Sequence, residues 1–438
     1  MSQWLTDATL WLTTNPEWLG LAIFLIACLE CLAIVGILVP GTILLFTVAV
    51  LAGSGALTLC ETLLLAYCGG LLGDLLSYAT GRYFHQDIRR LPGLRHHPEW
   101  MAGAEFYFQR YGIASLLVGR YIGPLRPMLP MIAGMLNMPF GRFVLVSLLA
   151  STGWVIAYLL PGWATGAALR LPLPEGFWPQ AAVLAASLAA LLLLSVHASL
   201  GERRRASWIA AGLSLLLLCG VFVGWQRLDQ LDRGLLALVQ EQRSASLDTM
   251  MVLITRLGDF HSQLAVGVLL CLLLLLARQW RALLFAGGAL LATALANGAL
   301  KALLARQRPD VLLEPLSSFS LPSGHSSAAF AFFLVLGVLA GRGAPARLRL
   351  AWLLLASLPA MAIAMSRVYL GVHWPSDIIA GALLAGGMCA LSLGLTQWRT
   401  PQSALPAKAW WLILPACLGL LGAIATWQLS AQVLRYGY

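Results

Sequence analysis

Two histidines and a set of cations stand in three short stretches of the second half of the chain, each beside an apolar run. In KALLARQRP, residues 301–309, Lys301 and Arg308 lie two helical turns apart, so a helix there would put both on one face before Pro309 ends it. In LPSGHSSAAF, residues 321–330, Pro322, Ser323 and Gly324 precede a new helix. Its first N–H groups make an anion cradle, glycine allows close backbone approach, and His325 sits at the same spot. In SRVYLGVHWPSD, residues 366–377, Arg367, His373 and Asp377 crowd together. Pro375 suits the first turn of a helix, which places Asp377 where it can reach back to His373 and fix one imidazole tautomer. A neutral, oriented imidazole is a competent nucleophile. Three cations meet the charge that builds on a phosphoryl group during in-line displacement, and a second histidine can protonate the leaving group. No separate carboxylate cluster points to a metal, so the cations are expected to replace Mg²⁺, with no cofactor. Arg306, beside this set, reads equally well as a side chain reaching for a membrane interface.

These groups must be positioned by helices that cross lipid. Only 11% of the 438 residues are charged, against roughly a quarter in soluble domains, and runs such as WIAAGLSLLLLCGVFVGW approach the ~20 residues needed to cross a bilayer. The expected fold class is an all-α polytopic membrane protein. Spans are expected near 208–225, 262–277, 282–300, 325–341, 350–366, 378–396 and 409–428. The run GERRRAS, residues 201–207, marks a cytoplasmic loop and a domain boundary, giving domains 1–200, 201–398 and a last helix in 399–438. Arg278 and Arg281, then Arg342, Arg347 and Arg349, then Arg399 and Lys408 fall on the same side, which places 226–261, 301–324 and 367–377 on the opposite one. The net charge of +10 is spread over these loops rather than gathered in a stripe with aromatics, so nucleic acid is not an expected partner. Cys28 and Cys31 form a lone CxxC between apolar flanks and read as small buried hydrophobes. The first basic residue is Arg82, so no charged n-region of a signal peptide is evident.

The order Lys-x6-Arg-Pro, Pro-Ser-Gly-His and Ser-Arg-x5-His-x3-Asp resembles the type 2 phosphatidic acid phosphatase superfamily over roughly residues 205–398. The resemblance implies a six-helix phosphatase bundle and a transient phosphohistidine at His373, oriented by Asp377, with His325 as general acid. It also implies that Lys301, Arg308, Ser323, Gly324 and Arg367 grip the phosphate. The family works without metal on lipid phosphates, usually at the outer leaflet in bacteria. Histidines 85, 96, 97, 197 and 261 lack such partners and are expected at surfaces or interfaces.

The first 200 residues carry apolar segments broken by Pro and Gly, as in VGILVPGTILL, and re-entrant hairpins are expected near 33–53 and 112–137. Glu30, Asp74, Arg120 and Arg126 lie within these stretches, where acid–base pairing would offset burial. Such pairs can hold two hairpins together, or meet the anionic head of a passing lipid. Glu30 with Pro-Gly at 40–41, GGLLGDLLSYATGR at 69–82 and GRYIGPLRPMLPMIAG at 119–134 resemble the DedA family of bacterial membrane proteins. That resemblance implies two opposed re-entrant hairpins and lipid transport, with polyprenyl phosphate as one cargo class. Many relatives carry an acid after the Pro-Gly turn where this chain has Thr42, which weighs against proton coupling.

Together the halves suggest consecutive steps in a bacterial inner membrane. An outward-facing phosphatase would convert undecaprenyl diphosphate to the monophosphate, and a translocase would return it inward. The alternatives are a phosphatidate or phosphatidylglycerophosphate phosphatase beside a separate scramblase, and a transporter with a regulatory phosphatase-like module.

Overall fold

The structure, a computed structural model, describes residues 10–33, 35–38, 41–84, 113–120, 126–170, 173–200, 205–312 and 318–427, with 106, 108 and 429. Among these every regular element is helical, as apolar chain in lipid requires, because helices satisfy their own backbone. Eight helices among the described residues are long and apolar enough to cross a membrane. The chain is a multi-pass, all-helical membrane protein.

Two compact units divide at residue 173, Met1–Leu173 and Pro174–Tyr438. In the first, α1 (Leu19–Cys31), α2 (Val35–Leu38) and α3 (Gly41–Leu51) precede α4 (Leu59–Phe84). Then follow α5 (Ile113–Gly119), α6 (Met128–Met135) and α7 (Phe140–Arg170). The short helices fall where the two hairpins are expected. Pro40, residues 121–125 and the arginines at 89, 90, 95, 110, 203 and 204 lie outside the described residues, as do His85, His96 and His97. Small residues set the packing distance in this unit. A Cβ on Gly81 of α4 would fall 1.9 Å from the Met131 carbonyl oxygen of α6, and one on Gly166 of α7 would fall 2.0 Å from that of Val50 in α3. Helices in lipid associate through such close backbone approach rather than through water exclusion.

The second unit begins with α8 (Phe177–Leu200), which the arginine run had assigned to the first domain. Its Gln180 side chain accepts the Leu231 N–H at 3.0 Å, tying it to the elements that follow. Packing places the boundary of the compact unit before α8. Next come α9 (Ala206–Gly224), α10 (Asp229–Gln240), α11 (Ala245–Arg256), α12 (Phe260–Leu276), α13 (Trp280–Leu304) and α14 (Gly324–Ala340). They are followed by α15 (Ala346–Tyr369), α16 (Pro375–Thr396) and α17 (Ala407–Thr426). Six of these, α9 and α12 to α16, make the expected bundle, and α17 is the extra helix, packed on α11 and α12. α16 is central: it touches α9, α13 and α14. Phe285, Phe332, Leu270, Val266 and Ile363 fill the core.

Candidate active site

The C-terminal ends of α13 and α15 meet the N-terminal ends of α12, α14 and α16 at one end of the second unit. α16 starts as the sequence requires: Pro375 occupies its first turn, and Asp377 accepts the Trp374 N–H at 2.9 Å in a capping box. That bond aims the carboxylate back at His373, whose Nδ1 lies 3.3 Å from Oδ2. On the other side of the ring Arg308 Nη1 lies 3.1 Å from Nε2. A guanidinium can only donate, so Nε2 must carry the lone pair and Nδ1 the proton, which it donates to Asp377. His373 is 1% exposed. Burial first, then the charges of Arg308, Arg367, Lys301 and His325, holds its imidazole well below the ordinary pKa, so it is neutral near pH 7.

Arg308 also donates to the Val372 and Ser318 carbonyls, each at 2.7 Å, and Lys301 Nζ donates to the Phe319 carbonyl at 2.7 Å. One expectation fails here. α13 ends at Leu304, where Ala305 takes φ 45°, so Lys301 and Arg308 do not share a helix face. They come together because the Ser320 N–H, donated to the Arg306 carbonyl at 2.8 Å, holds the chain beyond the helix against the 318–320 segment. Ser323 caps α14, its Oγ accepting the Ser326 N–H at 3.4 Å. Its own N–H is taken by the Asp377 carbonyl at 3.0 Å, which leaves the cradle to begin at Gly324. Arg367 is buried and donates to Thr255 Oγ1 at 3.0 Å. His325 Nε2 donates to Asp259 Oδ1 at 2.8 Å. Thus Lys301, Arg308, Arg367, His325 and Gly324 surround the His373–Asp377 pair.

Three neighbours, Ser320, Asp259 and Asp232, were not singled out from sequence, and Arg306 was read there as equally well an interface side chain. Ser320 Oγ lies 3.2 Å from His373 Nδ1 and donates to Asp377 Oδ2. Asp259 orients His325. Arg306 is 4% exposed rather than at an interface, and it bridges Asp377 at 2.9 Å and Asp232 at 2.7 Å. Asp232 in turn accepts the Ser376 N–H at 2.8 Å. Asp232 shares the apolar face of α10 with Leu235, Leu236 and Val239, and a carboxylate in such a stripe is the signal that would have found it.

In the first unit the four charges form two buried pairs, Glu30–Arg126 at 2.6 Å and Asp74–Arg120. Thr42 Oγ1 donates to Glu30 Oε1 at 3.1 Å, so the residue after Gly41 joins the same cluster. Cys31 Sγ lies 3.5 Å from Arg120 Nη2 and 3.7 Å from Arg126 Nη2, and the Trp154 ring stacks under both guanidiniums at 5.0 and 4.3 Å. Cys31 is therefore buried against charge, not simply among apolar side chains. Asp74, Arg120, Arg126, Ser147 and Pro130 line a cavity beside the pairs.

A multi-pass helical protein with two buried ion pairs in its first unit and a buried His–Asp pair among cations in its second is the class these features define. Residues 39–164 match the VTT domain, and residues 282–401 match the PAP2 superfamily. Inner membrane protein YqjA of Escherichia coli is 31% identical over 156 residues, covering 35% of this chain and 71% of that one. Inner membrane protein YabI of the same organism is 34% identical over 161 residues, 37% of this chain and 63% of that one. The chain belongs to the VTT (DedA) family through its first half and carries a PAP2 superfamily domain in its second. It spans about two thirds of the length of the curated relatives it matches. A crystal structure of a transmembrane PAP2 type phosphatidylglycerolphosphate phosphatase from Bacillus subtilis is similar at 26% identity, with a TM-score of 0.40 over 43% of this chain and 97% of that one.

Proposed function

We propose that the second unit hydrolyses a lipid phosphate through a phosphohistidine at His373. The observation that carries this reading is the tautomer: Nε2 holds its lone pair among cations while Nδ1–H is committed to Asp377. The Nε2 lone pair attacks phosphorus as the bond to the leaving oxygen breaks, and His325, in the doubly protonated form with one N–H held by Asp259, gives that oxygen its other proton. Lys301, Arg308 and Arg367 carry the charge on the equatorial oxygens, in place of a metal, and the first turn of α14 adds N–H donors. Water then attacks the phosphohistidine, His325 takes back a proton, the N–P bond breaks and phosphate leaves.

The substrate we assign is undecaprenyl diphosphate, converted to the monophosphate at the outer face of a bacterial inner membrane. The basic loops after α12, α14 and α16 lie at the helix ends away from the site, which supports an outward-facing orientation. The VTT unit would return the monophosphate inward through its Glu30, Asp74, Arg120 and Arg126 cluster. Carrying both units on one chain raises the effective concentration of product near the translocator. Phosphate release by purified wild type and His373→Ala, with a chelator present, on undecaprenyl diphosphate, phosphatidate and phosphatidylglycerophosphate tests this. Loss of release in the variant, by about a thousandfold or more, is expected, as for removal of a nucleophile. Equal rates would end the enzymatic reading, and a preference for glycerophospholipids would end the carrier reading.

A further inference from the structure

Behind the His373–Asp377 pair lies a second tier of charge that the phosphoryl transfer described above does not use. Arg306 spans two carboxylates, with Nη1 on Asp377 and Nη2 on Asp232, and its guanidinium lies 4.9 Å from the Trp225 ring centre and 5.4 Å from that of Trp374. Asp232 and Asp377 are both 0% exposed, so water screens none of these interactions.

We infer that Asp232 is a positioning residue for phosphoryl transfer, which acts through Arg306 to keep the charge of Asp377 available to His373. The inference rests on the reading of His373 as nucleophile. When Nε2 bonds to phosphorus and Nδ1 keeps its proton, the imidazole becomes a cation, and Asp377 is the group placed to stabilise it. A guanidinium is always charged, so Arg306 alone would cancel Asp377 at that moment. Asp232, at 2.7 Å on the far side of Arg306, cancels Arg306 instead. The three groups then present one net negative charge to the ring, and that charge comes from Asp377. Asp232 also accepts the Ser376 N–H and hydroxyl, so it pins the turn from which Asp377 projects. A purely structural ion pair would have the same contacts, and the difference between the two roles lies in the sign of the electrostatic effect.

Two single substitutions separate them. Asp232→Asn keeps one acceptor oxygen, turned to either the Ser376 N–H or Arg306, and leaves Arg306 free to neutralise Asp377. It is expected to slow single-turnover phosphohistidine formation by about tenfold or more, the effect of one opposite charge on a neighbouring ionisation. The same change makes protonated His373 less favourable, so the acid limb of kcat/KM moves to lower pH. Arg306→Gln leaves two carboxylates uncompensated near the ring, and the limb moves to higher pH. Arg308, Arg367, Lys301 and His325 face His373 in every variant, and dividing each profile by the wild-type profile on one lipid phosphate removes the substrate's own titration. Opposite shifts support the inference; shifts of one sign, or none, overturn it. If Asp232→Asn does not fold, Arg306→Gln decides alone: an upward shift supports the inference and no shift overturns it. A wild type that releases no phosphate overturns the nucleophile reading together with this one, and is seen before any variant is compared.

Discussion

The proton inventory of His373 decides what the site can do. A nucleophilic imidazole must be neutral before attack, and burial together with four cationic or potentially cationic neighbours keeps it so. The folded pKa is depressed, so the ring takes up a proton only well below the ordinary value of about 6.5. The His373 ring is therefore expected to stay neutral from pH 7.5 down through pH 6.5, read by the NMR titration of its ring protons, and to charge only in more acidic buffer. A ring that titrates at pH 6.5–7 would contradict the depressed value. Much of this pair was legible in the sequence, because the interval from His373 to Asp377 is one helical turn and Pro375 fixes where that turn begins. Asp232, Asp259 and Ser320 come from segments far away in the chain, where no spacing links them to His373. Their roles arise only when the helices pack.

Helices were the most legible level. Runs of Leu and Ala of membrane length predicted α9 and α12 to α17 to within a few residues, because lipid leaves the backbone few alternatives. What the residues between them do was less so. The left-handed Ala305 ends α13 early and sends Arg308 into the site by a loop, and no proline or glycine announces it. Glycine contacts were likewise invisible, since a glycine in an apolar run does not say which neighbour it admits. The structure makes Gly81 a test of element packing in the first unit. Gly81→Leu would force α4 away from α6, where the Met131 carbonyl already occupies the space of a Cβ. Overpacking of this kind costs about 1–3 kcal/mol or more. A lower thermal midpoint in detergent is expected, and an unchanged midpoint would mean that α4 and α6 do not meet as described.

Across the whole molecule, two units of different chemistry share one chain, and the composition could be read as membrane-bound long before either chemistry could be placed. The paired charges of the first unit separate scaffold from transport. Exchanging them, Glu30→Arg with Arg126→Glu, preserves a pair while reversing the end offered to an anionic lipid head. Breaking a buried pair outright costs about 3–5 kcal/mol, so the exchange is expected to be more stable than either single change. Transport of a polyprenyl phosphate by reconstituted vesicles is expected to fall with the exchange, and unchanged transport would make the cluster scaffold alone. In the second unit, Lys301 and Arg308 already rest on the carbonyls of Ser318 and Phe319. In the proposed reaction an arriving phosphate would trade places with neutral dipoles rather than with bare solvent, and those dipoles would be at hand to reclaim the cations when inorganic phosphate departs. Turnover would gain from this, because a binding pocket that re-closes on itself has no need to hold its product.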